Sequence, residues 1–576
     1  MDKTSQRPVR VGLISLGCAK NLVDAEIMLG ALIKGGFEIT NDAARAEVVI
    51  VNTCSFIDSA QEESVDTILE SAALREAKNR GQSLIVSGCL PQRFREELPG
   101  LLPEVDAFMG IDQVAQAPQI VHQALARRAA RVAGSPPSEI LASSARMAAD
   151  RPIPKSQIVG RLSELGKSQP PSEHDRQNDS QGRSPFAGPK IAAGAAPVAL
   201  QPAALDPPIV NVNPRPRYIP DYATPRFRLT PKHFAYLKIA EGCNHPCSFC
   251  IIPRLRGSHR SRAQTDVVEE ARRLIAQGVK ELNLISQDST YYGLDLRPAR
   301  QGSIAAPEKF AAAAKALPAD APTLCSLVRA LNRLRGEFWI RLLYTHPAHW
   351  TNELIQTIAD CPKVARYIDI PLQHIHPVML ERMRRETSQQ HLIDLIAKIR
   401  AGIPGLAVRT TFIVGFPGET EPYFQALLDF IRETKFERLG VFTYSQEAGT
   451  RSATMSRPVP DRIRKRRRDL AMQEQLKVAR QISGSFVGRR IKVLVEKEAS
   501  ARELQDAKVS SWEHGLIRSE DEHRDRLRGR YLLARGEADA PDIDGRVYIR
   551  GRQPPGEFAW VKIIGHTDYD LIAEPG

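Results

Sequence analysis

No stretch of this chain stays apolar long enough to span a bilayer, and its opening residues, MDKTSQRPVR, lack the apolar segment of a secretion signal. The expectation is a cytoplasmic protein with no membrane contact. Cysteine is also scarce. Eight in 576 residues are too few for a disulfide scaffold, and in a reducing compartment clustered thiols point to metal or redox chemistry. Acidic residues are outnumbered: the formal charge of +13 suits a polyanionic partner such as RNA or a ribosome, although solubility alone also accounts for it. The length exceeds what one core organises, so two to four domains are expected.

Strand and helix patterns alternate at first. VRVGLISLGC, AEVVIVNTC and SLIVSGC read as buried strands, separated by helical stretches such as LVDAEIMLGALIKGG. That rhythm predicts a doubly wound parallel sheet with helices on its faces over residues 8–145. Residues 146–231 are rich in proline, alanine and polar side chains with little periodicity, and read as a disordered linker or insertion. The rhythm resumes over 232–482. FAYLKIAEGC, KELNLISQD, FWIRLLYTHP, ARYIDIPLQH, VRTTFIVGFPGET and ERLGVFTYS are six candidate strands of a full or partial parallel (β/α) barrel. A surface insertion is expected at about 296–322. A charged helix, DRIRKRRRDLAMQEQLKVARQI, then leads to short strands over 483–570 that fit a small antiparallel barrel.

Two groups of cysteines carry the chemistry. Cys243, Cys247 and Cys250 lie in EGCNHPCSFCIIPRLRG, just past the first barrel strand, where barrel active sites form. Three thiolates on one loop can wrap three corners of an iron–sulfur cube and leave one iron exchangeable. The bland alternative is a zinc site closed by His245 or His259, although no second Cys-x2-Cys pair accompanies it. Cys18, Cys54 and Cys89 are scattered in sequence, yet each stands just past the end of a strand of the first sheet. Ligands collect at that edge of parallel sheets, so a second three-thiolate site is expected there. Cys325 and Cys361 show no such pattern and read as structural.

The Cys243–Cys250 loop at a first strand end resembles that of the radical S-adenosylmethionine (SAM) enzymes. The resemblance implies a four-iron cluster on Cys243, Cys247 and Cys250 whose open iron binds SAM, and cleavage to a 5'-deoxyadenosyl radical that abstracts hydrogen. With the second trio and the small last barrel, the chain resembles the methylthiotransferase family over all but the two insertions. That likeness implies an auxiliary four-iron cluster on Cys18, Cys54 and Cys89, hence two 4Fe-4S clusters and SAM as cofactors, and an oligonucleotide-binding-like TRAM domain at the C-terminus.

SLGCAKNLVDAE, NTCSFIDSAQEES, LISQDSTYYG and GVFTYSQEAGT are similar to the branch that modifies a ribosomal protein. They imply that an aspartate of ribosomal protein S-twelve, free or in the small subunit, becomes 3-methylthioaspartate with the help of an electron donor. Two alternatives remain open: the same chemistry on an adenosine of transfer RNA, and a zinc RNA-binding module without catalysis. Gln287 and Asp288, then Gln373, His374 and His376, then Gly415 and Glu419 sit at later strand ends. Gln287, Gln373 and Gly415 are the candidate SAM contacts, Gly415 because a glycine admits a close approach to backbone. His374 and His376 read as structural rather than metal-binding. The basic run Arg462–Arg468 and the TRAM domain are the candidate RNA contacts, with a solvated helix face as the plainer reading of the run.

Overall fold

A computed structural model of the protein describes residues 7–133, 207–297, 304–318, 320–500 and 530–576. They form two compact units.

The first unit comprises Met1–Tyr218, Pro225–Phe227 and Glu447–Ala453. Its six strands are β1 (Arg10–Ser15), β2 (Glu38–Ile39), β3 (Val48–Thr53), β4 (Ser83–Gly88), β5 (Ala107–Met109) and β6 (Ile209–Asn211). They pair in parallel in the order β2-β1-β3-β4-β5-β6. Strands β3 and β4, VVIVNT and SLIVSG, are buried along their whole length, as a sheet covered on both faces requires. The helices Ala19–Lys34, Asp58–Lys78 and Ala117–Ala133 supply that cover.

The expected linker needs correcting at its end. Its residues 146–206 lie outside the described part, but residues 207–231 are ordered, and Ile209–Asn211 forms the sixth strand. Its anchor is polar and so invisible to hydrophobic periodicity. Arg226 Nε lies 2.8 Å from the buried Glu26 Oε2, and Phe227 N–H donates to the Glu26 carbonyl at 2.9 Å.

In the second unit, β7 (Phe234–Lys238) is followed by a hairpin of β8 (Ala240–Glu241) and β9 (Arg260–Ser261). Five strands follow: β10 (Glu281–Ile285), β11 (Trp339–Leu342), β12 (Val364–Asp369), β13 (Ala407–Val414) and β14 (Arg438–Thr443). With β7 they make an open, all-parallel sheet in the order β14-β13-β12-β11-β10-β7, the partial barrel of the sequence reading. Alternation divides its faces. Leu237, Leu284, Leu342, Ile368 and Val408 join the apolar core under the helices, together with Cys325 and Cys361. Tyr236, Asn283 and Arg341 stand in register on the opposite face, as do Asp369, Arg409 and Arg438.

Five further strands close a barrel: β15 (Arg490–Ser500), β16 (Arg530–Gly536), β17 (Val547–Arg550), β18 (Phe558–His566) and β19 (Leu571–Pro575). It departs from the expected antiparallel barrel at one pair, since β17 and β19 run parallel. This barrel meets the amino ends of the sheet strands through buried charges. Glu281 Oε1 lies 2.7 Å from Arg341 Nε, Glu281 Oε2 lies 2.8 Å from Arg535 Nη2, and Tyr367 donates to Asp544 at 2.7 Å. The carboxyl ends of the strands are left for the cysteine loop.

Two further expectations change. The surface insertion expected near 296–322 is anchored where it is described. Its helix Pro307–Lys315 buries Phe310, whose ring stacks on His349 at 4.5 Å. The basic run lies in the helix Asp461–Ser485 but is not one solvated face. Arg467 is buried against Glu419, 2.7 Å away, and Arg464 donates to the Tyr444 carbonyl at 2.5 Å, while Arg462, Lys465 and Arg466 stay exposed.

Candidate functional site

In the first unit, the three thiols follow three neighbouring strands. Register pairs Ser15 with Asn52, Asn52 with Ser87, and Thr53 with Gly88, so Cys54 and Cys89 leave adjacent strands side by side. Cys18 is the residue before the helix Ala19–Lys34. A Cβ built on Gly17 would lie 2.8 Å from Cys54 Cβ and 3.1 Å from its Sγ, which brings the Cys18 backbone against Cys54. Gly17 has φ +88 and Gly88 φ +95, conformations that L side chains rarely adopt.

The scaffold around these thiols was not read from the sequence. Asn21 Nδ2 donates to the Leu16 carbonyl at 2.6 Å and to that of Thr53 at 3.2 Å, and Asn52 Nδ2 donates to the Asn21 carbonyl at 2.9 Å. Ser64 Oγ accepts from Cys54 N–H and donates to the Cys54 carbonyl. The signal was an asparagine inside an otherwise apolar strand, VVIVNT. Buried amides must find partners, and here they tie strand ends together. The Oδ1 atoms of Asn21 and Asn52 remain buried without a hydrogen bond. A soft-metal cluster fits this donor set: three thiols at one sheet edge, none in a disulfide.

In the second unit, the cysteine loop is closed at its neck. A Cβ on Gly242, at φ +81, would lie 2.6 Å from the Gly257 carbonyl oxygen and nearer still to that of Ser258. Cys243 N–H donates to the Gly257 carbonyl at 3.0 Å, and Cys250 N–H to that of Cys247 at 3.2 Å. Burial pushes the Cys243 thiol up, and the nearby Cys250 and Cys247 push it the same way. Two neighbouring sulfurs thus disfavour the Cys243 thiolate, which a cation among the three would relieve, so the donor set fits a metal cluster.

Charges surround the loop. Glu241 Oε2 lies 2.8 Å from Lys238 Nζ, and both its oxygens lie 3.1 Å from Arg256 Nη1. Burial alone would push the Glu241 carboxyl up, but Arg256 and Lys238 hold it well below the usual range. Gln287 Nε2 donates to Glu241 at 2.6 Å, leaving Gln287 Oε1 buried without a partner. Gln373 sits at φ +72 with its backbone bonded to Thr411 and Ile413, and its Oε1 is likewise buried and unpartnered. Arg464 packs over Gly415, where a Cβ would lie 2.9 Å from Arg464 Cβ. The Gly415 N–H donates to Glu419 at 2.5 Å.

The histidines sort differently from the cysteines. His374 Nε2 lies 3.2 Å from Glu419 and its Nδ1 accepts from its own following backbone, while His376 caps the helix Pro377–Arg382 and stacks on Tyr423. His245, His346 and His349 form a buried trio whose nitrogens lie within 4.8 Å of one another. Asp288 serves two of them, at 2.6 Å from His245 Nε2 and 3.0 Å from His349 Nδ1. Burial lowers the His245 pKa, with Asp288 opposing it. His259, the other candidate zinc ligand, lies 3.4 Å from Ser261 Oγ, and burial pushes its imidazole down to about 4.

Known proteins align with the whole of this architecture. Residues 10–110 match the uncharacterized protein family UPF0004, residues 237–431 the radical SAM superfamily, and residues 521–575 the TRAM domain. A protein of Opitutus terrae named ribosomal protein uS12 methylthiotransferase RimO is 46% identical over 98% of this chain and 97% of its own length. Its namesake in Akkermansia muciniphila is 42% identical over 98% of this chain and 100% of its own. Among solved structures, the radical SAM methyltransferase TsrM of Kitasatospora setae covers 76% of this chain and 73% of its own, at 14% identity and a TM-score of 0.41.

Proposed function

The chain belongs to the family of ribosomal protein uS12 methylthiotransferases, and on that premise we propose how its two cysteine trios divide the reaction. The enzyme replaces a C–H bond at the β-carbon of an aspartate of ribosomal protein uS12 with C–S–CH3 by radical SAM chemistry. Cys243, Cys247 and Cys250 hold the four-iron cluster that binds SAM, and Cys18, Cys54 and Cys89 hold an auxiliary four-iron cluster. When bound, SAM would supply the hydrogen-abstracting radical and the methyl group, and the auxiliary cluster would assemble or deliver the sulfur.

The protein's own share is to hold, orient and balance charge. The Gly242–Gly257 neck sets the spacing of the first trio. Glu241 neutralises Lys238 and Arg256 beside it and turns the Gln287 amide. The open oxygens of Gln287 and Gln373 accept hydrogen bonds from the N–H and O–H groups of SAM. Asn21, Asn52 and Ser64 hold the three strand ends of the second trio in place.

The observation that carries this reading is the repetition of one device. Twice, three cysteines stand past the carboxyl ends of parallel strands, one after each of three strands in the first unit and all three on one loop in the second. RNA contact fits the last barrel, where exposed Trp560 and Lys562 on β18 adjoin Arg490, paired with Lys562 on β15. An exposed indole among cations stacks on bases. Among the described residues no helix is long and apolar enough to cross a membrane, and a ribosomal substrate places the enzyme in the cytoplasm.

Mass spectrometry of uS12 from cells lacking this gene tests the assignment. The methylthio mass on one aspartate is expected to disappear; its persistence overturns the reading. Loss of a methylthio-adenosine from transfer RNA, with uS12 intact, would move the chemistry to RNA. Anaerobically purified protein is expected to be brown with about eight irons per chain; colourless protein carrying zinc would return the site to a binding module.

A further inference from the structure

Arg385 is buried at 5% exposure, yet no carboxylate among the described residues forms an ion pair with it. Its Nη2 donates to the Pro371 carbonyl at 2.7 Å, its Nε has no hydrogen-bond partner, and its Nη1 lies 3.6 Å from Cys247 Sγ. A guanidinium stays charged at every working pH, and a buried charge without a counter-charge is expensive. Something negative is missing from its surroundings, and the nearest candidate is the thiolate of a cluster ligand.

The aim of this side chain is built into the backbone. The helix Pro377–Arg382 ends in a left-handed Arg384, φ +56, and Arg385 N–H returns to the Leu380 carbonyl at 2.9 Å. Ser248, next to Cys247, clasps this turn. Its N–H donates to the Met383 carbonyl at 3.1 Å and its Oγ to the Arg382 carbonyl at 2.8 Å. Phe249 of the loop packs against the apolar cluster that holds buried Met383. Two hydrogen bonds and an apolar contact therefore fix the guanidinium against one ligand of the trio.

We propose that Arg385 is a positioning residue of the SAM-binding cluster, which makes that cluster easier to reduce by holding a permanent positive charge and a hydrogen bond on Cys247 Sγ. This rests on the reading of Cys243, Cys247 and Cys250 as cluster ligands. A four-iron cluster on three thiolates is anionic and gains a further negative charge on reduction. A cation and a sulfur-directed hydrogen bond favour the reduced form and raise the potential.

The test is a redox titration followed by electron paramagnetic resonance on full-length protein loaded with iron and sulfide. The signal that SAM perturbs belongs to this cluster, and its midpoint is then measured without SAM. Arg385→Gln is expected to lower the reduced-to-oxidised ratio at a fixed potential about tenfold, equivalent to a midpoint shift of about 59 mV to more negative values for one electron. Arg385→Lys, which keeps the charge, is expected to shift it less. A loaded Arg385→Gln protein with an unmoved or more positive midpoint overturns the proposal, as does an Arg385→Lys shift equal to that of Arg385→Gln. If Arg385→Gln loses the SAM-perturbed cluster, Arg385→Lys decides: that cluster retained with a midpoint shifted by less than about 59 mV supports the proposal, and the cluster lost or shifted by as much overturns it. A wild-type protein with no SAM-perturbed signal would instead overturn the ligand assignment beneath it.

Discussion

Gly242 and Gly257 close the neck of the cysteine loop so tightly that no side chain fits at Gly242, where a Cβ would lie 2.6 Å from the Gly257 carbonyl oxygen. Gly242→Ala forces both a left-handed alanine, at a cost of about 1–2 kcal/mol, and a displaced Gly257–Ser258 backbone. The expected outcome is a folded protein that loses about half its iron, read by iron analysis beside circular dichroism. Full iron content would mean that the neck does not set the thiol spacing.

The two trios are expected to fail differently. Cys247→Ala should abolish SAM cleavage, since the cluster that binds SAM loses a ligand. Cys54→Ala should leave reductive cleavage measurable and stop sulfur insertion. Chromatographic assay of 5'-deoxyadenosine, with mass spectrometry of uS12, separates the two. Equal loss of cleavage in two folded variants would overturn this division.

Glu281 is wholly buried between Arg341 and Arg535. Glu281→Ala leaves Arg341 buried without its carboxylate and Arg535 with Glu496 alone, and losing one partner of a buried pair costs about 3–5 kcal/mol. Urea unfolding is expected to show a loss of that order, with the last barrel and the six-stranded sheet destabilised together. A change under about 1 kcal/mol would mean that water reaches these charges.

Acid should loosen the same region. Burial tends to raise the Glu496 carboxyl, but Arg535, 2.7 Å away, and His233 bring it down to about 2. An unfolded glutamate titrates near about 4.3. A folded value below the unfolded one means that the stabilisation is complete above about 4.3 and disappears as the pH falls toward about 2. Melting temperatures measured across that window should fall more steeply for the wild type than for Glu496→Gln.

Much of the architecture, and the place of the six cysteines relative to the strands, was legible in the sequence. Alternation and apolar runs are local properties, and parallel strands bring their carboxyl ends to one edge. Cys18, Cys54 and Cys89 could therefore be grouped across more than seventy residues, and the loop at Cys243 placed at a strand end. Less legible was anything held by one long-range polar contact. Arg226 on Glu26 draws the end of a polar segment onto the first sheet, and Arg467 on Glu419 turns part of a basic run inward. Arg464 likewise packs over Gly415.

Local sequence thus settled most of the strands and which cysteines follow their ends, because backbone hydrogen bonding and period-two burial act over a few residues. Packing alone chose where each guanidinium goes, including the one that Arg385 brings to Cys247 across more than a hundred residues of chain. A long, flexible cation has many carboxylates, carbonyls and sulfurs within reach along the sequence, and only close packing removes all but one.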